Sequence, residues 1–206
     1  MSMSGVDILL SQSAWAIIKG NLGESALQKI EKRLFEKFGM SLSQAVEDFP
    51  KLDCVLKEFF GTGAMALEKT ILNNICTLEK SKEMGEEWLT IREHFLVKVI
   101  LEALVDKEKK KILTSMINTP RLIVEILEMC KVSENTGYRK IEELIRDGML
   151  IECGFMTTSD GRKINKYIVI FKTVKKEIVN NKVVIKAKLC NEALSTSSII
   201  PLIRHS

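Results

Sequence analysis

Apolar side chains recur every three or four positions through the first half of the chain, the period of a helix with one buried face. Over residues 7–22 the stripe is Ile8, Leu9, Trp15, Ile18 and Leu22, and Gly23 supplies a stop. A second helix is predicted from Glu24 to Phe38, with Ala26, Leu27, Ile30, Leu34, Phe35 and Phe38 inward and Gly39 as terminator. Ser41-Leu42-Ser43-Gln44 has the form of a capping box and opens a short third helix through Asp48. Pro50 begins a fourth that ends at Phe60, Gly61-Thr62-Gly63 makes a turn, and Ala64 to Leu78 forms a fifth. The polar run over residues 79–85 reads as a boundary. A sixth helix is predicted from Glu86 to Val105, where Trp88, Ile91, Phe95, Val99, Ile100 and Leu104 are spaced for burial.

From Asp106 the pattern shortens. Asp106 can cap a helix to Ile117 that keeps Ile112, Leu113, Met116 and Ile117 inward and Lys107, Lys109, Lys110 and Lys111 outward. Thr119-Pro120 suggests a cap and first position for the next helix, which carries Leu122, Ile123, Ile126 and Leu127. Ser133 is the expected N-cap of a helix from Glu134 to Asp147 with Ile141, Leu144 and Ile145 as its seam. After Gly148 the period changes to that of strands. Leu150–Met156 and Ile164–Phe171 flank a turn with Asp160-Gly161 at its tip. A second hairpin spans Thr173 to Leu189 about Asn180-Asn181. The tail from Asn191 to Ser206 contains Ile199-Ile200-Pro201-Leu202-Ile203, which fits either docking on a partner or fraying. The fold class is therefore mainly α with a smaller β part.

Composition narrows the function. With 46% hydrophobic and 28% charged residues the chain has a globular balance, and 6% aromatics leave little for a base-stacking platform. No apolar run reaches the length of a membrane span, and no basic region precedes the first apolar segment, so a cytoplasmic location is expected. Cys54, Cys76, Cys130, Cys153 and Cys190 are odd in number and scattered, which argues for small core residues rather than a disulfide framework or zinc ribbon. Only His94 and His205 are present, so no metal or other cofactor is expected. No nucleophile stands beside a base, and Gly61-Thr62-Gly63 lacks the lysine and serine of a phosphate cradle; the chain does not read as an enzyme. Charge is asymmetric. Residues 1–105 carry 12 basic against 15 acidic side chains, and residues 106–206 carry 19 against 12. A basic half suits a polyanion, although a solvated lysine surface has the same composition.

The helix after Ser133 is where chemistry concentrates. Gly137 costs it about 1 kcal/mol of propensity relative to alanine, so a glycine here implies close approach of the preceding helix. Glu134, Asn135, Tyr138, Arg139 and Glu142 are left on the outer face, with Thr136 beside them. Asn can pair with adenine and Arg can grip guanine, while Tyr138 and Lys140 can reach phosphates. Arg162 and Lys163 add two cations at the hairpin tip, where backbone contacts would be salt-sensitive.

Ser133-x-x-Thr136, Tyr138-Arg139-x-Ile141-x-x-Leu144, then Gly148-Met149-Leu150 and the hairpin resemble the winged helix-turn-helix of ArsR/MarR-like transcriptional regulators. With the helix from Asp106 the resemblance covers about a third of the chain. It implies that the helix after Ser133 is a recognition helix, that Asn135, Thr136, Tyr138, Arg139, Lys140, Arg162 and Lys163 contact double-stranded DNA, and that the assembly is a homodimer on a two-fold site. The cysteine pair and histidine clusters of metal-sensing ArsR proteins are missing, so metal control is not implied. The organisation expected is a helical domain over 1–85 for dimerisation, sensing of an effector or partner docking, a connecting helix over 86–105, a winged helix over 106–172, and a hairpin with tail over 173–206. The rival is a protein–protein adaptor that uses the winged helix as a scaffold.

Overall fold

A computed structural model describes residues 4–80 and 87–204, apart from the side chains of Trp15 and Glu47. Most of the expected boundary over 79–85, and His205, lie outside the described residues. Among the described residues helix accounts for 60% and strand for 23%, a mainly helical α+β fold with two small antiparallel sheets.

The first helices follow the apolar stripes. α1 (Gly5–Phe38) is broken at Gly23, whose φ of 69° and ψ of 156° lie outside helical space, so it acts as two helices. Leu9, Leu10, Ile18, Ile30 and Leu34 are buried along it. α2 (Leu42–Glu47) opens with both bonds of the capping box: Gln44 N donates to Ser41 Oγ (3.3 Å), and Ser41 N to Gln44 Oε1 (2.9 Å). α3 (Phe49–Phe60) has Pro50 in its first turn, where a missing N–H breaks no helical bond. α4 (Gly63–Ile75) packs on α3 and buries an acid, Glu68.

Burial raises the Glu68 carboxyl from 4.5 to about 7, and the neighbouring Asp53 adds to the rise while Lys57 opposes it. The folded state thus holds a proton that the unfolded chain releases. The stabilisation this gives is complete below about pH 4.5 and is lost as pH rises through 7. Glu68→Gln should raise stability at pH 8 by about 2 kcal/mol and leave it nearly unchanged at pH 4. Parallel denaturation curves at the two pH values check this; an equal shift at both would exclude the buried proton as its cause.

Two expected helices give way to strands. The helix predicted to Leu78 ends at Ile75 and is followed by β1 (Cys76–Lys80); the one predicted over 86–105 is β2 (Glu87–Ile91) and then α5 (His94–Val105). The strands pair antiparallel, Cys76 against Ile91 and Leu78 against Leu89. Glu93 starts α5 by accepting from the amides of Phe95 (3.0 Å) and Leu96 (2.9 Å), and its carboxylate also accepts from Ser13 Oγ of α1. Trp88, Ile91 and Phe95 have helical spacing, but the ladder to a distant strand satisfies the backbone first.

The second half contains α6 (Lys107–Ser115), β3 (Arg121–Leu122), α7 (Ile123–Cys130), α8 (Glu134–Arg146), β4 (Leu150–Thr157), β5 (Lys163–Val169), β6 (Phe171–Val179), β7 (Lys182–Leu189), α9 (Asn191–Thr196) and α10 (Ile200–Arg204). Asp106 caps α6, accepting from the amides of Glu108 (3.0 Å) and Lys109 (2.9 Å). Thr119-Pro120 does not open α7. Arg121 and Leu122 instead pair with Tyr167 and Lys166, and Glu125 closes the helix start by accepting from Leu122 N (2.9 Å). The return strand stops at Val169 rather than Phe171, because Ile170 bridges the sheets: its N–H donates to Met149 O (3.0 Å) and its carbonyl accepts from Cys190 N (2.8 Å). One sheet has order β3-β5-β4 and the other β1-β2-β7-β6, so the second hairpin joins the strands missed in the first half. Asn180 and Asn181, both at positive φ, make its two-residue turn as expected.

The two ends of the described chain are tied together. Asp7 is buried in the first turn of α1 and accepts from the hydroxyl of Ser197, from Ser198 Oγ (2.7 Å) and N (2.8 Å), and from Ile199 N (3.4 Å). Ile199, Ile200 and Ile203 are buried, so the tail docks on its own chain. Nearby, Gly5 packs on Gly148, where α8 hands over to β4.

Candidate nucleic-acid interface

Helix α8 is held by three things its sequence carries. Ile141 and Leu144 are buried on its inner seam. Gly137 faces α7 so closely that a Cβ there would lie 2.1 Å from Leu127 Cδ2. Two ion pairs then brace α8 to the start of α6: Lys140 to Asp106, and Lys109 to Glu143 (2.8 Å). Hydrogen bonds from Lys140 and from the α6 amides hold the Asp106 carboxyl below its usual range. Lys109, with Arg139 adding less, does the same to Glu143. Ser133 occupies the cap position in extended conformation, but its hydroxyl makes no capping bond; the helix starts on Gly137 N donating to Ser133 O (2.8 Å).

The expected contact residues separate into two groups. Asn135, Tyr138 and Arg139 are exposed on α8, with Thr136 half-buried beside them. Arg139 is 63% exposed while Nη1 donates to Glu143 (2.8 Å); a guanidinium has five donors, so capacity remains for another partner. Lys140 is different. Its side chain is 13% exposed and committed to Asp106, so it positions α8 rather than offering a charge to solvent.

The hairpin tip is built by Thr158. Its N–H donates to Arg162 O (2.9 Å), its hydroxyl accepts from Arg162 N (3.1 Å), and its carbonyl accepts from Gly161 N (2.9 Å). Arg162 is exposed and pairs with Asp160 (2.6 Å), and Lys163 lies over the Phe155 ring, 4.5 Å from its centre. Phe155, Met156 and Ile164 are exposed on the same hairpin.

One basic feature was not legible as a site. Lys107, Lys110 and Lys111 of α6 meet Lys131, in the turn before α8, around a cleft of about 660 Å³. The lysine run was visible in the sequence. That Lys131 closes it, held at φ 52° two residues ahead of Ser133, needed the packing of α7 on α6.

Burial pushes the Cys76 thiol up to about 12 and Cys190 to about 11, so both stay protonated at neutral pH. Among the described residues no cluster of His, Cys, Asp and Glu is placed to hold a metal ion, and no helix is long and apolar enough to cross a membrane. No protein-family model, curated protein or solved structure matches the chain.

Proposed function

We propose that the protein is a sequence-specific double-stranded DNA-binding transcriptional regulator acting as a homodimer. In this reading residues 106–172 form a winged helix-turn-helix, α8 is its reading helix, and the β4–β5 hairpin is its wing. The observation that carries it is the convergence of Lys107, Lys110, Lys111 and Lys131 on one cleft, just ahead of a helix that exposes Asn135, Tyr138 and Arg139. Phosphates would sit on the lysines and on Arg162 and Lys163, while Asn135 and Arg139 read base edges. Exposure of the outer face of α8 supports this reading over the adaptor, which would gain if other parts of the chain covered that face.

The test is binding of the purified protein to random duplex DNA across a salt series, followed by selection of preferred sites. Arg139→Ala should cost about 1–3 kcal/mol on the selected site and relax preference at one base. Lys131→Ala and Arg162→Ala should weaken all sequences alike and each lower the salt slope by about one. No binding at low salt would sink the proposal and favour the adaptor, in which the winged helix is a scaffold and the N-terminal helices hold the functional groove.

A further inference from the structure

Helix α5 leaves an uncovered seam. Leu96, Val97, Ile100 and Ala103 are buried against the rest of the chain. The opposite side carries Phe95, Lys98, Glu102 and Val105, spaced alternately three and four residues apart, the spacing of a helix seam that packs on another helix. Phe95 is 49% exposed and Val105 78%, although a helix this apolar is ordinarily covered. Lys98 and Glu102 face each other along the helix at 3.7 Å, both open to solvent.

The order of these residues is self-complementary. A two-fold axis crossing the seam at the level of Ile100 runs α5 antiparallel to its copy. Each residue then meets the one equally far on the other side: Phe95 meets Val105 and Lys98 meets Glu102, each pair occurring twice. An interface on a two-fold axis has this reciprocity, with the same patch serving both partners. We infer that the α5 face is the surface on which a second copy of this chain docks, by antiparallel pairing of the two helices.

A twelve-residue helix is only about 18 Å long, short for a stable contact by itself. The surface extends beyond it. A groove of about 1050 Å³ runs beside the seam, between Val97, Leu101 and Val105 of α5 and Asn181, Lys182 and Val183 at the β6–β7 turn. Ile178 pairs directly with Val183 and so stands on the same face of the ribbon, 72% exposed. The apolar wall therefore continues from the helix onto the hairpin. Val105 also immediately precedes Asp106, the residue that holds Lys140 of α8. Association at the seam would fix the point from which α8 is braced. The inference supplies the dimer that the DNA-binding reading calls for, and its test uses no DNA, so the two can fail separately.

The test is sedimentation of the full chain over a concentration series, with Lys98→Glu, Glu102→Lys and Val105→Asp, all at exposed positions, checked for fold by circular dichroism. The wild type should associate as a dimer. Each charge reversal should raise the dimer dissociation constant about tenfold or more, since it sets like charges against each other twice. Val105→Asp should give a monomer. An equimolar mixture of Lys98→Glu and Glu102→Lys should associate again, because each chain then offers what the other lacks. Mixing cannot repair a defect within one helix, so this arm separates contact between copies from loss of the intrahelical pair. A wild-type monomer throughout, a dimer indifferent to the reversals, or a mixture no tighter than its components would each overturn the inference.

Discussion

Gly148→Ala should destabilise the protein by about 3 kcal/mol or more, among the largest losses from adding a single methyl group. Two costs combine. Gly148 has φ +75°, where any residue with a Cβ is strained by about 1–2 kcal/mol. Its Cβ would also fall 2.4 Å from Gly5 O and 2.6 Å from Leu9 N, both backbone atoms that cannot rotate aside. The start of α1 would have to lift away from the end of α8, and with it the burial of Val6 and Leu9. Gly154→Ala is the control: its φ is +81°, but nothing lies within 4 Å of the added carbon. It should therefore cost only the backbone strain. Urea denaturation of the two variants decides the matter, because equal losses would show that the contact between Gly5 and Gly148 contributes nothing.

Asp7→Ala should cost about 3 kcal/mol. A buried carboxylate that accepts from two hydroxyls and two amides leaves both hydroxyls and Ser198 N without that partner when it is removed, while Ile199 N keeps Ser197 Oγ (3.3 Å), and bonds to a charged acceptor are the stronger kind. Asp7→Asn keeps the shape and some acceptor capacity, so it should cost roughly half as much. The site of the damage is also specified. Hydrogen exchange should accelerate at Ser198 and Ile199 in the Ala variant before global unfolding. If protection there is unchanged, the tail is held by Ile199, Ile200 and Ile203 alone and the carboxylate is dispensable.

The signals that could be read from the chain were those whose partners lie nearby. Ser41 and Gln44, Asp106 before α6, and the Asn180-Asn181 turn each act within four residues, and each was legible. Strands β1 and β2 were not. Trp88, Ile91 and Phe95 imitate one face of a helix, whereas Ile91 belongs to a ladder with Ile185. Thr119-Pro120 misled for the same reason: a good local cap lost to the pairing of Arg121 and Leu122 with β5. The candidate interface divides along the same line. Exposure of Asn135 and Arg139 follows from the period of α8. The inward commitment of Lys140 depends on Asp106, 34 residues away, and closure of the lysine cleft depends on how α7 rests on α6.

Strand order β1-β2-β7-β6 has a consequence in time. A ribosome adds about 5–20 residues per second, so β2 waits roughly 5–20 s between its own synthesis and that of the strand that completes it. Through that interval one edge of the β1–β2 pair stays open, with main-chain donors and acceptors able to bind any extended segment within reach. Once β7 arrives it must take β6 on one side and β2 on the other, a closure between distant parts of the chain. Slower translation between Ile91 and Ile185 would lengthen the exposure without changing a single residue. The yield of correctly folded protein should therefore depend on the pace of synthesis across that stretch.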